Sequence, residues 1–550
     1  MTASPPQRAR SEEAAIFIGA LLLYLLLPSR NPNYADDSMR WAAALVRDTG
    51  LISSHHLFLN GVRWCFHLLE RLSGSSLDPA RTLALYNSLW GAVGLAALHR
   101  LLIVLDLAEV ALPGALLCGF TAGYWAYSIV GDVYVPAIAL TVIGIAAFLA
   151  GITAPDGRRR ALLGATATGA FVLAIAHHQS HFLIVAGTCL GGLLILPPRT
   201  IKRVRYSLGV LGLTGLIALA GYGAAYRLSY GREGPGFRKF LLGYAESFDP
   251  QPDQKRVTAG TIANAGMGEV RAIFATNVVF RSERLTRAVQ NRFPYRNLYP
   301  YPYLVRRLGK AALAIILLGM SAAAACSAWL LLLGLGRAFR ENGPLRVLVL
   351  AGLPQAVFFI WWEAISDEFW LWSLPLLAVV IAAGAWGSVG RKRMLWVAVG
   401  GLGISTLLGA VLLFADPGND IDTVNGRFLA EVRGRDLLLG WDGIQSCGRV
   451  ALAQPRQGFR WFNVFARGFH WAPGDSAELD RTIESTLAAG GRVFVHPYLA
   501  HPPISNMVLI GLHNPRFESE RQAILARLRA IDPGRISWEP LAASVPGYFR

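Results

Sequence analysis

The sequence predicts an α-helical polytopic membrane protein with about eleven transmembrane helices and a C-terminal external α/β domain. Three observations carry that reading. Of 550 residues, 53% are hydrophobic and only 16% charged, against roughly 25% charged in soluble proteins. Apolar runs of near-bilayer length recur from residue 14 to residue 415. Short basic segments fall in alternate gaps between the later runs, the pattern that the positive-inside bias produces.

The runs lie near 14–28, 82–105, 110–126, 134–152, 161–176, 182–197, 207–226, 310–335, 345–362, 369–389 and 394–415. The first follows Arg8 and Arg10 like a signal peptide, but bulky, polar PSRNPNYADD follows it rather than a small-residue cleavage site, so an uncleaved first span is expected. The basic segments are DGRRR (156–160), RTIKRVR (199–205), RAFREN (337–342) and GRKR (390–393). With a cytoplasmic N-terminus all four fall inside, and the expected location is a bacterial inner membrane. The long segment 227–308 then lies outside, and a loop of that length translocates largely regardless of its charge.

After residue 416 the spans stop. RDLLLGW, RVALAQ and GGRVFVHPY read as short strands, SAELDRTIESTLAAG and SERQAILARLRAI as helices. The expected division is a membrane domain over 1–415 and a soluble external domain over 416–550. The formal charge of +17 is scattered between apolar runs, without zinc-type cysteine spacing, which argues against nucleic acid as a partner. Cys118, Cys189 and Cys326 sit in apolar runs as packing residues, so Cys65 and Cys447 are the one pair open to oxidation.

Polar residues converge on the turns of the predicted outer face. Asp36 and Asp37 follow the first run, and His55 and His56 stand in HHLFLNG. Asp132 separates the third and fourth runs; His177, His178 and His181 separate the fifth and sixth; Glu363, Asp367 and Glu368 separate the ninth and tenth. Ionisable groups at a membrane boundary are costly unless they pair or meet water, so such a collection suggests function, although each alone is an ordinary loop residue. DDSMRWAAALVRDTG and LNGVRWCFHLLERL place apolar residues three and four apart, which predicts two amphipathic helices along the outer interface. One of the two aspartates then serves as an N-cap or first-turn acid. RFPYRNLYPYPYLVRR (292–307) interleaves aromatic residues with arginines, including Arg292 and Arg296. It reads as an aromatic belt with snorkelling arginines, or as a site for a lipid phosphate, which arginine grips bidentately.

These motifs resemble those of the C-type (GT-C) glycosyltransferases, the polytopic enzymes that include protein O-mannosyltransferases and the bacterial aminoarabinose transferase of lipid A. YADDSMRWAAALVRDTG is similar to the acidic motif of their first external loop, HHLFLNG to the histidine-containing stretch after it, and YSIVGDVYVPAIAL to their second acidic loop. The likeness covers roughly residues 14–390, and the pair reads Asp-Asp where relatives often have Asp-Glu. It implies transfer of a sugar from a polyprenyl-phosphate donor to a hydroxyl of a lipid, glycan or protein acceptor. Asp36 or Asp37 would be the general base, and Asp132 would position the acceptor or hold a metal; a divalent cation stays open. His55, His56, Arg292 and Arg296 would answer the charge growing on the phosphate leaving group, with His178, His181 and Glu368 as further binding residues. A transporter or lipid flippase, or a non-catalytic envelope-assembly protein, is the alternative; paired broken helices and internal symmetry would mark the transporter.

Overall fold

The computed structural model describes residues 5–29, 38–46, 57–195, 201–230, 236–241, 257–276, 278, 308–341, 343–412, 429–440, 457–464, 476–495, 499, 516–530 and 536–538. The chain divides into two compact units. One comprises Met1–Pro28, Asp48–Thr276 and Gly309–Leu412; the other comprises Ser29–Arg47, Asn277–Leu308 and Leu413–Arg550.

The first unit is helical. Its elements are α1 (Pro5–Leu26) and, after α2 of the other unit (Ser38–Val46), α3 (Phe58–Ser73), α4 (Pro79–Val104), α5 (Ala111–Gly119), α6 (Ala122–Ser128), α7 (Tyr134–Thr153), α8 (Gly157–His177), α9 (His181–Leu194), α10 (Ile201–Tyr230), α11 (Ala259–Ile273), α12 (Lys310–Arg340), α13 (Gly343–Glu363), α14 (Ser373–Ala385) and α15 (Val389–Thr406). Among the described residues seven helices are long and apolar enough to cross a membrane: α4, α7, α8, α10, α12, α13 and α15. The segments through α5, α9 and α14 are shorter and apolar. Among the described residues each run picked out in the sequence coincides with helix, and the protein is a polytopic membrane protein. The run at 110–126 departs from the expected single span: it breaks between Gly119 and Ala122 into α5 and α6, with the Thr121 hydroxyl donating to the Cys118 carbonyl at 2.7 Å.

Helix starts follow local chemistry. Asp78 caps α4, accepting from Ala80 N at 2.9 Å and Arg81 N at 3.2 Å, with Pro79 at the first helical position. Asp156 caps α8 in the same way through Arg158 N and Arg159 N, and these bonds to the charged form hold its carboxyl below the ordinary range. Burial then sorts the spans. α7 has 89% of its apolar window buried and forms the centre of the unit; α10 and α12, at 22% and 17%, present apolar side chains outward, as lipid requires. α12 and α14 touch backbone to backbone at two glycines: a Cβ at Gly384 would strike the Leu330 carbonyl, and one at Gly334 the Val380 carbonyl. Small residues at such contacts let membrane helices approach closely.

The second unit contains α2, whose Trp41, Ala42 and Leu45 are buried, and the α/β tail. The tail orders β1 (Leu437–Gly440), β2 (Arg460–Asn463), α16 (Ser476–Ala488), β3 (Val493–Val495), α17 (Phe517–Ala530) and β4 (Ile536–Trp538). The strands form one sheet in the order β2-β1-β3-β4, parallel throughout, with Leu438 opposite Trp461 and Phe494. The continuous apolar run of β1 fits a strand buried on both faces. Asp436 pins the start of β1 to β3: its carboxylate accepts from Arg492 N and Arg433 N, both at 2.9 Å, and from Arg492 Nη2 at 2.9 Å. Of the expected strands RVALAQ lies outside the described residues, and β2 and β4 arise in stretches other than the expected strands.

Candidate functional site

The site is built where α7 begins, α8 ends, α9 begins and α14 begins. Tyr134, the first residue of α7, lies with its ring 5.0 Å from the His178 ring and 6.1 Å from that of Phe369. Three turns separated in sequence by 44 and 191 residues therefore meet around one aromatic side chain. Asp132 is two residues before Tyr134 and 3% exposed; its Oδ1 accepts from Val133 N at 2.6 Å, which sets a carboxylate at the N-terminus of α7. The helix dipole favours a negative charge there.

His178 is half-buried, with Nδ1 2.7 Å from the Ser180 hydroxyl and its ring 6.1 Å from that of His181. His181 is buried, with Nδ1 2.8 Å from Thr141 Oγ1. That hydroxyl donates its single proton to the Ala137 carbonyl at 2.8 Å, so His181 Nδ1 carries the hydrogen and donates to Thr141. His177 is fixed by the same logic: its Nδ1–H donates to the Leu173 carbonyl at 2.8 Å, and its Nε2 accepts from the Tyr86 hydroxyl at 2.7 Å. The ring also stacks on Phe58 of α3, centroids 4.0 Å apart, and joins that amphipathic helix to α8.

Glu368 stands half-buried in the 3-10 turn Asp367–Trp370, next to Phe369. Its neighbour Asp367 is occupied: Arg271 Nη2 donates to it at 2.9 Å, with both side chains under a tenth exposed, while Arg271 Nη1 donates to the Ile365 carbonyl at 2.9 Å. α11 supplies this arginine, a helix inside the stretch expected as a long external loop. Its signal in the sequence is the Thr258–Thr261 pair, whose side chains cap each other's backbone N–H at 3.2 and 2.8 Å.

Further charged and polar contacts lie elsewhere in the first unit. Glu12 of α1 meets His99 of α4 at 3.1 Å, Glu109 pairs with Lys392 at the start of α15, and Arg337 of α12 lies over the Trp386 ring at 3.7 Å.

Of the predicted site residues, the structure brings Asp132, His178, His181 and Glu368 into one region around Tyr134 and Phe369. Asp36, Asp37, His55, His56, Arg292, Arg296 and Cys447 lie outside the described residues. Among the described residues no group of three or more His, Cys, Asp or Glu side chains is placed to hold a metal ion.

No protein-family model and no curated protein matches the chain. Among solved structures, it is similar to the Archaeoglobus fulgidus oligosaccharyltransferase in complex with zinc and sulfate, at 13% identity and a TM-score of 0.49, over 82% of this chain and 63% of that one. It is similar to ArnT from Cupriavidus metallidurans bound to undecaprenyl phosphate, at 11% identity and a TM-score of 0.46, over 82% of this chain and 88% of that one. It is also similar to the Archaeoglobus fulgidus oligosaccharyltransferase AglB in complex with an inhibitory peptide and a dolichol-phosphate, at 14% identity and a TM-score of 0.44, over 83% and 65%. The chain therefore spans less than two thirds of the length of the oligosaccharyltransferase it matches.

Proposed function

We propose that the protein is a membrane glycosyltransferase that moves a sugar from a polyprenyl-phosphate-linked donor to a hydroxyl acceptor on the external face of the membrane. The observation that carries the reading is the junction at Tyr134, where the turns bearing Asp132, His178 and Glu368 meet at one end of a helical membrane unit. The motif likeness around Asp36–Asp37 and Asp132 supports the same chemistry.

The acceptor oxygen must lose its proton as it attacks the anomeric carbon. The bond to the phosphate oxygen breaks, and the proton passes to a carboxylate, for which Asp36 or Asp37 is the candidate. Asp132, anchored at the α7 N-terminus, positions the acceptor. His178 contacts polar groups of the substrate beside Tyr134, while His181 holds the start of α9 against α7. The leaving phosphate gathers negative charge and needs cationic partners, the role of Arg292, Arg296, His55 and His56. A divalent cation held at Asp132 would supply further charge neutralisation.

The test uses purified full-length protein in detergent with radiolabelled polyprenyl-phosphate sugars, added singly, and a membrane extract as acceptor. Label reaching an acceptor with wild type but not with Asp36→Asn/Asp37→Asn supports the assignment. Equal transfer by both proteins removes the proposed base. Lipid binding without transfer from any donor leads to the flippase or assembly alternative.

A further inference from the structure

Glu269 on α11 has no place in the chemistry above, yet its surroundings are specific. Its Oε1 lies 2.5 Å from Ser373 Oγ, the first residue of α14. The same hydroxyl lies 2.6 Å from the Trp370 carbonyl. A serine has one proton, and a carbonyl oxygen only accepts. If Ser373 gave its proton to Glu269, two acceptor oxygens would face each other across 2.6 Å. Both contacts are satisfied when Ser373 donates to Trp370 and the carboxyl of Glu269 carries a proton and donates to Ser373. The hydrogen-bond arithmetic therefore makes Glu269 a neutral acid.

We propose that Glu269 is a positioning residue of the candidate site: a neutral carboxylic acid that donates to Ser373 and so holds the Asp367–Trp370 turn, with Glu368 and Phe369, against α11. This deepens the transferase reading and rests on it for the site's identity. Two further contacts join the same pieces. Gly268 packs against the Trp370 indole so closely that a Cβ would overlap it, and Trp370 Nε1 donates to the Ala364 carbonyl at 2.7 Å. Arg271 supplies the permanent half of the clasp through Asp367, and Glu269 the half that depends on a proton.

Burial raises the Glu269 carboxyl from 4.5 to about 7, which favours the protonated form that the two Ser373 contacts require. Among the described side chains, the titratable and charged groups on the elements packed against α11 are Asp367 and Glu368 in the turn, Tyr124 and Tyr127 on α6, and Arg346 on α13; none of them is among the causes of the shift. The sign follows from which state keeps the proton. The docked carboxyl holds it to higher pH than the released one, so docking is strongest below about 4.5. It weakens as pH rises toward about 7 and is level above that.

The experiment measures amide exchange of α11 and of residues 364–373 in full-length wild type and Glu269→Gln, in lipid nanodiscs, across that pH range. The variant is neutral at every pH and shares the intrinsic exchange chemistry, so the ratio of the two isolates the carboxyl. The wild-type protection, divided by that of the variant, should fall by up to about tenfold per pH unit below pH 7 and then stay level. Infrared spectra should contain a protonated-carboxyl band that titrates near neutrality in wild type and is missing from the variant. Proteins that track each other at every pH, with no such band, overturn the proposal. Neither readout needs turnover, so the proposal fails or stands apart from the transferase assignment. If the site is catalytic, Glu269→Gln should also flatten the pH dependence of KM for the donor below neutrality.

Discussion

Arg271 Nη2 donates to Asp367 Oδ1 across 2.9 Å, and the two side chains are 5% and 8% exposed. A pair so enclosed gains less from its attraction than each charge would lose by standing alone. Arg271→Ala and Asp367→Ala should each destabilise the first unit by roughly 3–5 kcal/mol, and Arg271→Met/Asp367→Leu by much less. Thermal unfolding of the detergent-solubilised protein separates these outcomes. Single variants no less stable than the double would show that the pair is not desolvated.

The His177–Tyr86 bond joins α8 to α4 beside Phe58. Tyr86→Phe removes the hydroxyl that donates to His177 Nε2 and leaves a buried acceptor, at a cost of about 1–3 kcal/mol. The same unfolding measurement applies, and the contact at α3 gives a local readout. Exchange of α3 amides should rise in the variant, since the ring that Phe58 stacks on has lost one of its two anchors and keeps only the bond to the Leu173 carbonyl.

Gly384 meets the Leu330 carbonyl, whereas a methyl placed on Gly215 of α10 would have nothing within 4 Å. Gly384→Ala should therefore cost about 1–3 kcal/mol through overpacking and helix separation, and Gly215→Ala should be neutral or slightly stabilising, by up to about 1 kcal/mol. Equal stability of the two variants would contradict the close approach of α12 and α14.

In the tail, burial works to raise the Asp436 carboxyl, but bonds from the Arg492 side chain, Arg492 N and Arg433 N outweigh it and hold the group below the ordinary carboxylate range. The stability it contributes is complete above the unfolded value near 3.8 and is lost as pH falls through the lower folded value. Asp436→Asn should remove this acid dependence. Exchange of the β1 and β3 amides in the full-length protein, followed from neutral to acid pH, reads it directly.

These particulars separate what the sequence could say from what it could not. Helix positions were legible because apolar composition alone encodes them: α4, α7, α10 and α12 follow the runs read from hydropathy. The break at Phe120 was not, because no proline or charge marks it; packing of α5 and α6 against α4 decides it. For the site, the meeting of Asp132, His178 and Glu368 was foreseeable from membrane alternation, since every second turn returns to the same side. The identity of their neighbours was not. Arg271 and Glu269 find Asp367 and Ser373 about a hundred residues away, and the glycines of α11 obscure a helix whose one sequence signal is the Thr258–Thr261 cap. Asp367 shows the converse: an acid that reads as functional in sequence serves as the partner of a buried arginine.

The most direct test of the central claim is the fate of the sugar–phosphate bond. Full-length protein in sealed proteoliposomes would be given a polyprenyl-phosphate sugar labelled in both the sugar and the phosphate, with membrane extract outside. The account predicts that free polyprenyl phosphate appears in step with sugar bound to an acceptor, and that Asp132→Asn slows both by about 10²-fold or more, the scale lost when a reacting group is misplaced. Donor that crosses the bilayer with its sugar still attached, equally in wild type and Asp132→Asn, would contradict it.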